Sequence, residues 1–228
     1  MTVAAHRLEP VFLPTAAGDI LLTTWVPARA PPARWLLLVP PFAEELNKSR
    51  RMLALLARAA VARGHGVVLP DLAGTGDSWG DFRDARLPLW RADLAATAAW
   101  VTARGGEVSA VLGLRFGGLL ALELASSLSA VQQVLLWQPA LAGNDVLTQF
   151  LRLRTAAGLT GGGGPAETVE GLKARLAGGE SVEVAGYELP PELCAALGGL
   201  SLVALAPPRP LAIEWFHLTR QSATALPP

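Results

Sequence analysis

Cysteine is almost absent. Cys194 is the single one in 228 residues, so no disulfide can form within the chain. That fits a reducing compartment. Histidine is nearly as scarce: His6, His65 and His217 are the three that occur, which leaves few choices for an imidazole base. No His/Asp spacing suits a metal, and no cofactor is expected. Charge is sparse and balanced, with 19 basic and 19 acidic residues. No net field draws the chain to nucleic acid or to an anionic membrane, and there is no basic cluster to bind nucleic acid. The most apolar runs, 35–39 and 118–122, fall far short of the ~20 residues that a membrane span needs. The start, MTVAAHRLEP, lacks an apolar core followed by a small-residue cleavage site. No signal peptide is therefore expected, and a soluble cytoplasmic protein is.

What is present is apolar. Hydrophobic residues make up 51% of the chain, which excludes a disordered polymer and suits one domain with a sizeable core. Alternation over 10–13 and 20–25, across Ala17-Gly18-Asp19, predicts a hairpin. Continuous apolar runs at 35–39, 67–69, 108–114 and 131–137 predict strands covered on both faces. Between them, 47–63, 90–103 and 116–128 have helical spacing, the first with Met52, Leu55, Leu56 and Ala59 on one side. Strands alternating with helices imply a parallel sheet with right-handed crossovers and helices on both faces. Ligands on such sheets bind beyond the carboxyl ends of the strands. Those ends carry Pro40-Pro41-Phe42, Asp71-Leu72-Ala73-Gly74, Leu114-Arg115-Phe116 and Gln138-Pro139.

From residue 142 to 208 the pattern changes to short helices around four consecutive glycines, 161–164. This reads as a helical lid inserted over the site edge and hinged by glycine. Residues 1–141 and 209–228 then make the core, with a last strand at 211–216.

The stretch VLGLRFGGLLAL, 111–122, reads as a buried strand, a tight turn and a helix start. Chains of this design place a nucleophile at the turn, as Gly-x-Ser-x-Gly. Here the pattern is Gly113-Leu114-Arg115-Phe116-Gly117. Arginine stays protonated and has no lone pair with which to attack. Its planar fork suits a carboxylate or a phosphate, but a cation at a helix N-terminus is unfavourable by about 0.3–1 kcal/mol unless neutralised. Glu44 or Glu45, from the neighbouring strand end, is the expected partner when the site is empty, and an anionic group when it is filled. Asn47 reads as the N-cap of the helix behind them. Glu44 and Glu45 are also candidate bases for a bound water, and Ser49 is a candidate replacement nucleophile that capping explains equally well. Cys194 reads as a buried thiol.

This order of elements resembles the α/β-hydrolase fold, most clearly over residues 10–140. Asp71-Leu72-Ala73-Gly74-Thr75-Gly76-Asp77-Ser78 is similar to the Asp-x-x-Gly-x-Gly-x-Ser loop of those enzymes. Pro40-Pro41-Phe42-Ala43 stands where they carry an oxyanion-hole segment. The run PPFAEELNKSRRM, 40–52, taken with the Gly-Leu-Arg-x-Gly elbow, resembles the exosortase A system-associated hydrolase 2 family, encoded beside bacterial exopolysaccharide and protein-sorting systems. The resemblance implies that the Phe42 and Phe116 amides form an oxyanion hole and that Ser78 is structural. It places Asp71, Asp77 and Asn47 at the substrate edge. It also implies an acid after the last strand and a histidine one strand later. Glu214 and Asp145 are the acid candidates. His217 is the candidate base, but it follows the last strand directly, so the C-terminus reads as shortened.

Two functions remain open from sequence. One is a hydrolase of an ester, thioester or related acyl bond, with Arg115, Glu44, Glu45, Ser49 and His217 as its catalytic candidates. The other is a non-catalytic accessory protein holding an anionic or lipid-like ligand, or a protein partner of a polysaccharide or protein-sorting system. A third reading is a pure scaffold, against which the neutral surface and the lid argue.

Overall fold

The computed structural model describes residues 6–160, 167–205 and 207–218. The chain opens with β1 (His6–Pro14) and β2 (Asp19–Pro27), an antiparallel hairpin. His6 is the first residue of β1, opposite Pro27. Then follow β3 (Arg34–Val39), α1 (Glu44–Val61), β4 (Gly66–Pro70), α2 (Leu87–Ala103), β5 (Glu107–Leu114), α3 (Gly117–Ser127) and β6 (Gln133–Trp137). The last strand is β9 (Ala212–Phe216). The main sheet runs β1-β2-β4-β3-β5-β6-β9, antiparallel in its first two pairings and parallel from β4 to β9.

The apolar runs behave as fully covered strands. Leu37, Val39, Val68 and Val111 point to one face, under α2 and α3, while Leu38, Val67, Leu69 and Leu112 point to the other, under α1. The face of α1 differs from expectation. Leu46, Leu53, Ala57 and Val61 are its buried stripe, while Met52 and Leu55 lie about half exposed. The helix carries two apolar stripes, and helical spacing alone does not say which one the sheet will cover.

The helix also begins three residues before Asn47. Ala43 is its N-cap, with φ 47°, and no side chain caps it. Asn47 therefore lies within the first helical residues, where its Oδ1 accepts from Arg50 Nε at 3.4 Å. Glu44 and Glu45 occupy the first turn, where carboxylates complement the free amides.

Between β6 and β9 the chain forms α4 (Gly143–Thr160), α5 (Val169–Ala177), the hairpin β7 (Val182–Val184) with β8 (Tyr187–Leu189), and α6 (Pro191–Gly198). The hairpin was not anticipated, because two three-residue strands are too short to show a period. The glycine hinge expected at 161–164 lies outside the described residues. The insert is anchored by apolar contact: Phe150, Leu151, Leu172, Leu193 and Leu197 belong to the same core as α2 and α3. Arg209 fixes the return to β9, its Nη2 donating to the carbonyls of Ala125, Leu128 and Val131 at 3.2, 2.7 and 2.5 Å. The Ala125 and Leu128 carbonyls lie at the end of α3, where a cation also suits the helix dipole. No helix among the described residues is long and apolar enough to cross a membrane.

Candidate functional site

The turn between β5 and α3 is the sharp elbow that the glycines implied. Arg115 sits there with φ 54°, in the left-handed region that a non-glycine residue enters only under strain. The turn is closed on both sides: Arg115 donates its amide to Trp137 O at 3.0 Å, and its carbonyl accepts from Gly118 and Ala140 at 3.1 Å each. Close packing explains the flanking glycines. A Cβ on Gly113 would lie 2.3 Å from Gly117 O, and one on Gly117 would lie 2.3 Å from Val39 O. Arg115 precedes α3 rather than beginning it, since the helix starts at Gly117.

The Arg115 side chain is held from two directions. Its Nε donates to Glu45 Oε1 at 3.2 Å, and its Nη2 donates to Gln149 Oε1 of α4 at 2.6 Å. Of the two glutamates proposed as partner, Glu45 is the one that pairs. Glu44 instead binds Lys48 at 2.9 Å, one turn along the same helix. Gln149 carried no signal in the sequence, because only the seating of α4 over the elbow brings it there. A small pocket of about 120 Å³ opens at this point, lined by Phe42, Glu45, Arg115 and Phe150 among others.

The oxyanion positions are laid out but unused. Among the described residues, neither the Phe42 amide nor the Phe116 amide donates to a protein oxygen. Both rings turn inward. Phe42 meets Phe82, Phe116 and Phe150 edge-on, with centroids 5.5, 5.6 and 5.3 Å apart, and Phe82 in turn meets Tyr187 at 5.0 Å. Each such pair adds about 0.5–1.5 kcal/mol beyond burial. The cluster joins the 40–42 loop, α3 and the insert, and fills space beside the elbow with side chains of the protein itself. Burial holds the Tyr187 hydroxyl above its ordinary pKa, and nearby Glu44 adds to the effect.

Other sequence candidates do not converge on Arg115. Asp71, expected at the substrate edge, is 1% exposed. Both its oxygens accept from Arg50 Nη2 at 3.1 Å, and Oδ2 also accepts from the Asp77 amide at 3.2 Å. It braces the 71–78 loop against α1 and offers nothing to a ligand. Asp77 lends only its amide to that brace; its side chain is exposed. Ser78 donates to Asp71 O at 2.5 Å and accepts from the Leu21 amide at 2.8 Å, the structural part expected of it. Ser49 donates to Leu46 O at 3.0 Å, a back-bond within α1 and not the contact of an activated nucleophile. The buried acid beside the loop is one that sequence did not single out. Asp93 on α2 accepts from the Ala73 amide at 2.8 Å, and burial raises its pKa although that bond opposes the shift.

Among the described residues no histidine lines the pocket at Arg115. His65 precedes β4, at the amino ends of the strands. His217 is exposed just after β9, and among the described residues no further main-sheet strand follows to carry a histidine to the elbow. Glu214 takes its hydrogen bond from Gln133 on β6, and Asp145 lies in the first turn of α4. The Cys194 thiol is buried and pushed up to about 12 by desolvation, with Glu192 adding to it, so it is no nucleophile near neutral pH. Among the described residues no cluster of His, Cys, Asp or Glu could hold a metal.

The parallel sheet, the elbow after β5 and the insert after β6 together decide the architecture. The fold is that of the α/β hydrolases. No protein-family model and no curated protein matches the chain. Solved structures do. Est1E of Butyrivibrio proteoclasticus, solved with ferulic acid bound, aligns with 89% of this chain and 77% of its own, at 14% identity and a TM-score of 0.66. A hypothetical protein of Pseudomonas aeruginosa aligns with 94% of this chain and 78% of its own, at 15% identity and a TM-score of 0.60. An esterase of Pyrococcus furiosus aligns with 93% and 70%, at 14% identity and a TM-score of 0.59. At these identities the likeness is one of fold alone.

Proposed function

We propose that this α/β-hydrolase-fold protein is a non-catalytic binding protein, which receives an anionic group at its elbow through Arg115. One observation carries the reading: the residue at the nucleophile position is a cation, held at φ 54° and tied only to partly exposed partners, Glu45 and Gln149. Pairs of that exposure are worth about 0–1 kcal/mol and exchange easily for a ligand. The Phe42 and Phe116 amides, without a protein acceptor among the described residues, supply further donors for an anion. The pocket of about 120 Å³ suits a carboxylate or phosphate head group. A lipid-like tail needs several hundred Å³, and so needs the insert to move. The resemblance of residues 40–52 to the exosortase A system-associated hydrolase 2 family supports a role beside a polysaccharide or protein-sorting system, with a protein of that system as the proposed partner.

The second reading, hydrolysis of an ester, thioester or related acyl bond, is favoured by those same two amides. Reaction with a fluorophosphonate probe and peptide mapping separate the two. The binding reading expects no label on the wild-type chain; a label on any serine overturns it. Acetate and inorganic phosphate, titrated while amide resonances are followed, test the binding itself. The Phe42 and Phe116 signals should shift in wild type and not in Arg115→Ala. Equal responses in both would remove Arg115 from the function.

A further inference from the structure

We infer that the insert carries a second ligand site, independent of the elbow, in which Lys173 binds the carboxylate of an amphipathic monocarboxylic acid. Between α4, α5, α6 and the turn at Phe82–Asp84 lies a cavity of about 760 Å³. It shares no lining residue with the pocket at Arg115. Its volume is that of sites for small organic ligands. Leu147, Leu176, Pro190 and Cys194 supply apolar wall.

Most charges that border this cavity are already engaged. Arg86 meets Glu192 at 3.5 Å and donates to the carbonyls of Arg83 and Ala85. Arg83 meets Asp81 at 3.4 Å, and Asp84 accepts from the Asp81 amide at 2.9 Å. Lys173 differs. Its Nζ donates to Asn144 Oδ1 at 3.0 Å and to Thr148 Oγ1 at 2.7 Å, both neutral oxygens, and the side chain is half-buried. Among the described residues no carboxylate lies within 4.0 Å of it. Two of the three ammonium donors are therefore spent on fixing its direction, and one donor and the whole charge are left over. A carboxylate supplies what is missing, as a charge-assisted hydrogen bond in a partly desolvated place. Among the described residues Glu188 is also without an ionic partner, but it is exposed to solvent and borders a neighbouring pocket as well. Water solvates it. On the same lining Arg83 and Arg86 offset Asp84 and Glu192, which leaves the single charge of Lys173 for a monoanion, while Glu188 disfavours a second negative charge; the remainder of the ligand is therefore uncharged and apolar.

The test is calorimetric titration of the full chain with decanoate, below its micelle concentration, with decanol as the neutral control. Saturable binding is expected, followed in an Arg115→Ala background so that a carboxylate held at the elbow does not contribute. Loss of the charged hydrogen bond in Lys173→Met should weaken it by about tenfold or more, and decanol should bind weaker by a similar factor. Ala195→Trp, at an exposed position on the cavity wall, should block binding while leaving the circular dichroism unchanged. Unaltered affinity in Lys173→Met overturns the inference. So does absence of binding in the Arg115→Ala background, since any binding by wild type would then belong to the elbow.

Discussion

Replacing Arg115 by glycine and, separately, by alanine would measure the strain stored at the elbow. Both substitutions remove the same contacts to Glu45 and Gln149, so those contacts drop out of the comparison. What remains is the backbone, held at φ 54° by the bonds to Trp137, Gly118 and Ala140. An alanine in the left-handed region costs about 1–2 kcal/mol that glycine does not. Glycine gives back about 0.5–1 kcal/mol through the greater freedom of its unfolded chain. The glycine variant should therefore be the more stable of the two by about 0.5–1 kcal/mol. In a chain of this size that is roughly a 2 °C higher melting temperature. Urea denaturation with paired thermal melts would resolve it. A glycine variant equal to or less stable than the alanine variant would refute the strained elbow, and with it the claim that the turn keeps nucleophile geometry around an arginine.

Three further outcomes are expected. Gly117→Ala should destabilise by about 1–3 kcal/mol, the range for overpacking, because the new methyl group meets the Val39 and Pro40 carbonyls and not a movable side chain; a chemical melt like that of wild type would disprove it. Arg50→Ala strands Asp71, 1% exposed, with one amide for company. Arg50 is itself partly exposed, so the loss should be about 2 kcal/mol, below the 3–5 of a fully buried pair, and no loss in urea would show that the brace is unimportant. Asp93→Asn keeps an oxygen for the Ala73 amide but cannot ionise. Because burial raises the Asp93 pKa above 3.8, the wild-type chain gives up stability as pH rises through the raised value. Its deficit relative to the asparagine variant should grow from acid to neutral pH, and a deficit shrinking over that range would contradict the shift.

The alternation of apolar runs and helical periods was enough to predict the parallel sheet, its crossovers and the site edge, because those features follow from local spacing and from chirality. The elbow was legible for the same reason. Gly113 and Gly117 flank a position that no serine occupies, and a sharp turn is readable from the residues that permit it. The sequence also narrowed the partner of Arg115 to two adjacent glutamates, since both sit at the end of the neighbouring strand. It did not choose between them. Glu45 won because α1 starts at Glu44, which rotates Glu44 toward Lys48 and Glu45 toward the elbow. The same early start turned Asn47 from a cap into an ordinary helical residue and gave Arg50 to Asp71.

Tertiary packing settled what spacing left degenerate. Two apolar stripes on α1 were equally good helical faces, and only the position of β3 and β4 buried the one through Leu53 and Ala57. Gln149 and Phe150 reach the elbow, and Lys173 reaches its cavity, through contacts between segments remote in the chain, which no local period encodes. The residues that recommend hydrolysis, Gly113, Gly117, Phe42 and Phe116, are thus fixed by backbone geometry that the sequence announces. Those that recommend binding are Arg115 with Glu45 and Gln149, and Lys173, which has no countercharge among the described residues. They acquire meaning only when folding brings distant side chains together or leaves one charge without its opposite.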